Sequence, residues 1–144
     1  MKTEILPAVA AAIFDEKGNI LLQKRRDVNR WGLISGHVEF GETVEHAILR
    51  EIFEETNTRA TITRFIGIYS SPPTQTYQYK DRTVQYVTSY FEARLEGTIA
   101  PGYSNEETTA VQFFAPDSLP SELAQLNPDW LNDALDKRGT VFLR

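Results

Sequence analysis

Between Gly36 and Thr58 the chain reads GHVEFGETVEHAILREIFEETNT, and the glutamates of this stretch constrain the fold more than any other feature. A helix from about Thr43 to Thr56 puts Glu51, Glu54 and Glu55 at i, i+3 and i+4, so their carboxylates share one face. Val44, Ile48 and Ile52 form an apolar stripe beside them, which obliges the helix to pack on one side and leaves the acidic side accessible. Glu39 and Glu42 arrive just ahead of the helix, and Thr43 is placed to cap it. Two carboxylates ~4 Å apart at an effective dielectric of ~20 repel by roughly 4 kcal/mol, so a converging set needs protons or a cation. Oxygen ligands with no cysteine or histidine on the same face suit Mg²⁺ or Mn²⁺ and disfavour zinc. The same residues also fit an ordinary surface helix, since Glu favours helices and Arg50 stands four residues before Glu54.

The stretch matches the Nudix box, G-x5-E-x7-R-E-U-x-E-E-x-G-U, at Gly36, Glu42, Arg50, Glu51, Ile52, Glu54 and Glu55, and so resembles the Nudix hydrolase family in one register. It departs at Asn57, where the family has glycine, and at Thr58, where it has an aliphatic residue. Neither is a ligand position, and Asn tolerates the left-handed conformation that closes a helix. Ile34 and Ser35 stand where the family often has Pro-Gly. The resemblance implies an α/β/α sandwich, a mixed sheet between the box helix and a C-terminal helix. It implies Mg²⁺, with Mn²⁺ as substitute, held by Glu51, Glu54 and Glu55, with Glu42 as auxiliary ligand and the Gly36 carbonyl able to join. Arg50 would hold the glutamates in orientation.

The remaining composition agrees with such a fold. At 144 residues and 41% hydrophobic content, residues 1–144 are expected to form one domain with a real core. The absence of cysteine excludes disulfides, thiol nucleophiles and cysteine zinc sites. No signal peptide is read at the N-terminus, and the apolar run Leu6 to Phe14 falls short of the ~20 residues of a membrane helix. A cytoplasmic protein without a membrane partner is expected, as monomer or homodimer. A net charge of -5 argues against nucleic-acid binding.

Along the chain, Ile5 to Phe14 and Ile20 to Gln23 flank a turn at Asp15 to Asn19 and read as a hairpin. Lys24, Arg25, Arg26 and Arg30 make a basic loop before a short strand Trp31 to Ser35; it is either a solvated loop or a phosphate contact, led by Arg25. Trp31 is either core or substrate ligand. His37 and His46 lack partners at metal-ligand spacing and read as loop and surface residues. Strands are expected at Ala60 to Ser71, Val84 to Leu95 and Val111 to Phe114, and a helix at Asp129 to Lys137 behind Asn127-Pro128. The loop Pro72 to Arg82 carries Pro73, Tyr77 and Tyr79 and suits base stacking, with Tyr77 the candidate contact, or serves only as a long connection.

Nudix hydrolases often place one more glutamate on a loop ahead of an aromatic-containing strand. Glu107 fits that placement, Glu106 is its rival, and a box glutamate is the third candidate for general base. The resemblance implies hydrolysis of a diphosphate linkage in a nucleoside diphosphate derivative, with Glu54, Glu55, Glu107 and Arg50 as the catalytic set. Pro73, fifteen residues after Thr58, leans toward ADP-ribose-like sugar nucleotides; Tyr77 leans toward dinucleoside polyphosphates. A nucleoside triphosphate pyrophosphohydrolase and a nucleotide-binding module without turnover are the alternatives.

Overall fold

A computed structural model describes residues 1–144. Strand β1 (Lys2–Ile13) organises it, because its second half is buried on both faces. Val9, Ala11 and Ile13 face one layer and Ala10 and Ala12 the other, the period-two alternation of a strand covered from both sides. β1 pairs in parallel with β7 (Arg82–Leu95) along its whole length, from Lys2 opposite Arg82 to Ile13 opposite Ala93. On its other edge it pairs antiparallel with β4 (Ile34–His37). Beyond β7 come β5 (Ala60–Tyr69), antiparallel, and then β9 (Phe142–Leu143), parallel to β5; β6 (Thr76–Gln78) also pairs with β7. The six strands make a mixed sheet in the order β4-β1-β7-β5-β9, with β6 beside β7.

Helix α1 (Val44–Thr56) covers one face, burying Ala47, Ile48 and Ile52 against Val9, Ala11, Phe91 and Ala93. α3 (Trp130–Leu135) covers the other, with Trp130 and Ala134 against Ala10, Ala12, Ile66 and Tyr90. The α/β layering expected from the sequence is therefore present. No helix is long and apolar enough to cross a membrane.

Four details differ from the sequence expectation. The hairpin of the first two strands does not form: β2 (Ile20–Arg25) meets the first strand only at the bridge Phe14 to Ile20. Both edges of β1 are already taken, by β4 and β7, so β2 joins a second, antiparallel sheet with β3 (Arg30–Gly32) and β8 (Thr108–Phe114). The strand expected at Trp31 to Ser35 is split around Leu33, Gly32 pairing with Gln23 and Ile34 with Ala11; here the chain passes from one sheet to the other. The loop after β5 contains a helical turn, α2 (Pro72–Gln75), and then β6. Proline at the start of α2 loses no hydrogen bond there. The last helix is shorter than expected, and Asn127 Oδ1 accepts from the Asp129 amide just ahead of it.

Candidate active site

Both ends of α1 are closed by local chemistry. Thr43 Oγ1 accepts from the His46 amide at 3.1 Å, and Asn57 adopts the left-handed conformation, φ 54°, with its N–H on the Phe53 carbonyl at 2.8 Å. Asn57 thus does what a glycine would do at this position, and the register of the acidic face is kept.

Arg50 sits in the middle of that face. Nε and Nη2 donate to the two oxygens of Glu42 at 2.6 and 3.0 Å, a bidentate pair. Nη1 donates to Glu51 Oε1 at 3.0 Å and to Glu54 Oε1 at 2.6 Å, and Nη2 also reaches the His37 carbonyl at 3.0 Å. One guanidinium therefore ties the loop ahead of the helix to two turns of the helix. Its hydrogen bonds hold the Glu42 carboxyl down at about 2. Glu51 behaves oppositely. Burial pushes its carboxyl up to about 7, against the hydrogen bond and charge of Arg50, and the charges of Glu54 and Glu55 add to the rise.

Gly36 is required by the position of Glu51. A Cβ at residue 36 would fall 2.2 Å from the Glu51 carboxylate. Glu55 is buried, and its Oε2 accepts from Thr108 Oγ1 at 2.6 Å.

No three acidic or histidine side chains converge closely enough here to hold a metal ion, which the sequence expectation required; Arg50 supplies the positive charge among Glu42, Glu51 and Glu54. The donor chemistry nonetheless fits a hard divalent cation. Glu51 Oε2, Glu54 Oε2 and Glu55 Oε1 have no hydrogen-bond partner in the protein, and the raised carboxyl of Glu51 is what a second positive charge would relieve.

The loop carrying Glu106 and Glu107 is docked on the end of α1. Asn105 Nδ2 and Tyr103 Oη donate to the Glu54 carbonyl at 3.2 and 3.4 Å. Arg26 holds the loop from the other side, through its amide on the Glu107 carbonyl and its guanidinium on the carbonyls of Asn105 and Glu106. Both glutamate side chains are exposed. Glu107 lies within electrostatic reach of Arg25: the Asp27 hydrogen bonds raise that guanidinium first, and the charges of Glu107 and Glu55 raise it further.

Arg25 and Tyr77 meet in one cavity of about 520 Å³, which Gly36 and His37 border from the box, Tyr86 from the sheet and Tyr79 from the turn that follows β6. Arg25 is braced by Asp27 at 3.1 Å through both Nε and Nη2. Tyr77 stands edge-on to Tyr86, centroids 5.7 Å apart, and His37 stacks on Tyr86 at 5.3 Å with Nε2 3.1 Å from its hydroxyl. Trp31, offered by the sequence as a substrate contact, is not part of this wall. It packs edge-to-face on Phe114 at 5.0 Å, bridges to Leu123 and carries Lys24 over its ring, on the margin of the α3-side core. A larger cavity, about 680 Å³ between Phe14, Leu95, Ile99 and Phe113, includes no box residue. Chemistry, and not size, decides between them.

Sequence reasoning passed over His37 and Tyr86 in the cavity wall, and Gln23 and Thr108 behind Glu55. Tyr86 is one of the alternating apolar residues of β7, a pattern that signals burial and says nothing of a cavity. Thr108 falls in what reads as a loop.

The NUDIX domain model matches residues 4–134. A protein of Bacillus subtilis named as a putative 8-oxo-dGTP diphosphatase is 34% identical over 136 residues, covering 90% of this chain and 82% of that one. An ADP-ribose pyrophosphatase of Methanocaldococcus jannaschii is 47% identical over 70 residues, 46% of this chain and 41% of the other. Among solved structures, the MutT NUDIX hydrolase of Burkholderia pseudomallei superposes with a TM-score of 0.74 at 26% identity, covering 90% of this chain and 97% of that one. Nudix enzymes of this kind use divalent metal ions and cleave phosphoric anhydrides. A box complete in its carboxylates, on a helix packed against a mixed sheet and matched along nearly the whole chain, makes this protein a member of the Nudix family, a pyrophosphohydrolase of nucleotide derivatives.

Proposed function

We propose that the protein hydrolyses the diphosphate linkage of a nucleoside diphosphate joined to another group, an ADP-ribose-like sugar nucleotide, with Mg²⁺. The observation that carries the reading is the cavity that joins Arg25 and Tyr77 to the box through Gly36 and His37. It offers a cation for phosphate and an aromatic wall for a base or sugar, next to the acidic helix. The similarity to an ADP-ribose pyrophosphatase over 46% of the chain supports the same substrate class.

In this reading Glu51, Glu54 and Glu55, each with one oxygen free of protein partners, would draw together to hold the ion, and Glu42 and the Gly36 carbonyl would serve as auxiliary donors. When bound, the ion supplies charge neutralisation on the phosphate and a lower pKa for a bound water. Arg50 orients Glu42, Glu51 and Glu54. Arg25 binds a phosphate oxygen, and Tyr77 contacts the base. Glu107 accepts the proton of the attacking water; Glu106 and the box glutamates are its alternatives. Water adds to one phosphorus, the bridging oxygen leaves with the other phosphate, and ADP-ribose gives AMP and ribose 5-phosphate. One domain, a cytoplasmic location and a monomer or homodimer complete the reading.

A second reading, pyrophosphohydrolysis of a nucleoside triphosphate, is favoured by the 34% identity to the putative 8-oxo-dGTP diphosphatase. A screen of sugar nucleotides, dinucleoside polyphosphates and nucleoside triphosphates, with phosphate-containing products measured with and without Mg²⁺, separates the two. Highest kcat/KM on ADP-ribose or a related sugar nucleotide is expected. Highest kcat/KM on a triphosphate moves the assignment to the second reading, and binding without turnover of any compound contradicts both.

A further inference from the structure

Behind Glu55 lies a buried polar chain that the reading above does not use. Thr108 is fully buried, Gln23 is 1% exposed and Glu55 6% exposed, and all three meet where β2 and β8 pass the last turn of α1. Buried polar side chains in such a place must find partners or cost stability. Thr108 Oγ1 lies 2.6 Å from Glu55 Oε2 and 3.2 Å from Gln23 Oε1, and Gln23 Nε2 lies 3.4 Å from the Leu33 carbonyl. A threonine hydroxyl has one proton to give. At 2.6 Å, and toward a carboxylate, it goes to Glu55. Gln23 keeps its Nε2–H on the Leu33 carbonyl, and its Oε1 lies beside the Thr108 hydroxyl as the weaker, shared acceptor, so Gln23 fixes where that hydroxyl sits while the proton goes to Glu55.

The sheet is built to put Thr108 there. β2 and β8 pair regularly from Ile20 opposite Phe114 to Lys24 opposite Ala110, and then the register slips so that Thr108 stands opposite Arg25. The extra residue, Thr109, spends its own hydroxyl on the Lys24 carbonyl at 3.2 Å. Bulges of this sort re-aim one side chain of a strand. Asn105 anchors the same segment from the loop side, accepting the amides of Glu107 and Thr108 at 2.9 Å while donating to Glu54. Glu55 Oε1 makes no hydrogen bond to the protein and is not a buried atom, so it is the oxygen left open to solvent.

We propose that Thr108, backed by Gln23, is a positioning residue for the reaction: it commits Oε2 of Glu55 to the protein and leaves Oε1 as the one oxygen that faces a metal ion. The inference rests on the reading of Glu55 as a metal ligand. Groups that orient a ligand are worth roughly 10- to 100-fold in metal affinity or activity. Without the hydroxyl, the Glu55 carboxylate is free to turn, and the loss falls on the metal and on kcat more than on KM.

The test uses Mn²⁺ binding to the protein alone, by calorimetry or by the free-ion electron paramagnetic signal, beside kcat and KM. In Thr108→Val the isosteric side chain keeps the packing, and Mn²⁺ affinity and kcat are expected to fall roughly 10- to 100-fold with KM little changed. Thr108→Ser, which restores the hydroxyl, is expected to recover both. Gln23→Met removes the polar neighbour of Thr108 together with the contact to the Leu33 carbonyl, and is expected to shift both in the same direction by less; if Thr108→Val does not fold, a folded Gln23→Met with wild-type Mn²⁺ affinity and kcat overturns the proposal. Tyr69→Phe, which removes a hydroxyl donated to buried Asp133 on the opposite face of the sheet, is the stability control and should lower Tm alone. Wild-type Mn²⁺ affinity and kcat in folded Thr108→Val, or a serine variant as damaged as the valine, overturns the proposal. Wild type that binds no Mn²⁺, or Glu55→Gln that binds it as tightly as wild type, refutes instead the reading on which it rests.

Discussion

Gly36 and Glu51 approach so closely that no side chain fits between them: a Cβ at residue 36 would lie 2.2 Å from Glu51 Oε1 and 2.7 Å from its Cγ. The glycine of the box is therefore a packing requirement of Glu51. Gly36→Ala forces the end of a flexible side chain to move, so the fold should survive with Tm nearly unchanged. Glu51 then loses its place against the loop, and kcat is expected to fall roughly 10- to 100-fold. A large fall in Tm with kcat per folded molecule intact would show that the close approach is structural only.

Glutamates of the helix and of the loop separate by substitution. Glu55→Gln should cut kcat by several orders of magnitude with the fold retained, since Gln keeps size and helix propensity. Glu107→Gln should leave Mn²⁺ binding near wild type and lower kcat by roughly 10²- to 10⁴-fold, the usual worth of a general base. Glu106→Gln should do little. Near-wild-type kcat in both loop variants would move the base into the box and leave the loop, docked on Glu54 through Asn105, as a wall of the site.

At Gly67 a Cβ would meet the Phe142 carbonyl oxygen at 2.1 Å, backbone against backbone, because β9 docks on β5 at that residue. Gly67→Ala has no flexible group to displace. It should destabilise by about 1–3 kcal/mol, the usual cost of overpacking, in urea unfolding, with kcat per folded molecule unchanged. Wild-type stability would mean that β9 contributes nothing to the fold.

The α3 side carries an acid-sensitive clasp. Burial alone would raise the Asp133 carboxyl, but the Arg144 guanidinium at 2.8 and 2.9 Å and the Tyr69 hydroxyl overcome it and hold the folded value below the ordinary one. A depressed folded value contributes stability that is complete above the unfolded value, about 4, and is lost as pH falls through the folded value. Unfolding free energy of the wild type should therefore drop on acidification from about pH 4 more steeply than that of Asp133→Asn. Parallel curves would remove the clasp from the acid response.

What the residues announce in advance is what local chemistry decides. The helix from Val44, its Thr43 cap and the left-handed Asn57 follow from spacing and side-chain type, and both ends fall within a residue of the expected bounds. The apolar runs of β1 and β7 likewise announce strands buried on two faces. Strand partners are another matter. β2 pairs with β8 some ninety residues later, and nothing near Ile20 says that the edge of β1 is already occupied. For the same reason Gln23 and Thr108 stay hidden: each is an unremarkable polar residue until the bulge at Lys24 and Arg25 brings both to Glu55. Trp31 illustrates the converse, an aromatic beside a basic loop whose ring goes to Phe114 and not to the cavity.

The proposed function assigns an ion-dependent cleavage of a sugar nucleotide to the box carboxylates. It is tested most directly by following AMP formation from ADP-ribose as Mg²⁺ is titrated into chelator-treated wild type and Glu55→Gln. Saturable Mg²⁺-dependent release of AMP by wild type, absent in chelator and lowered by orders of magnitude in the variant, is the predicted result. Turnover that persists in chelator, or a Glu55→Gln variant with the wild-type rate, would contradict it.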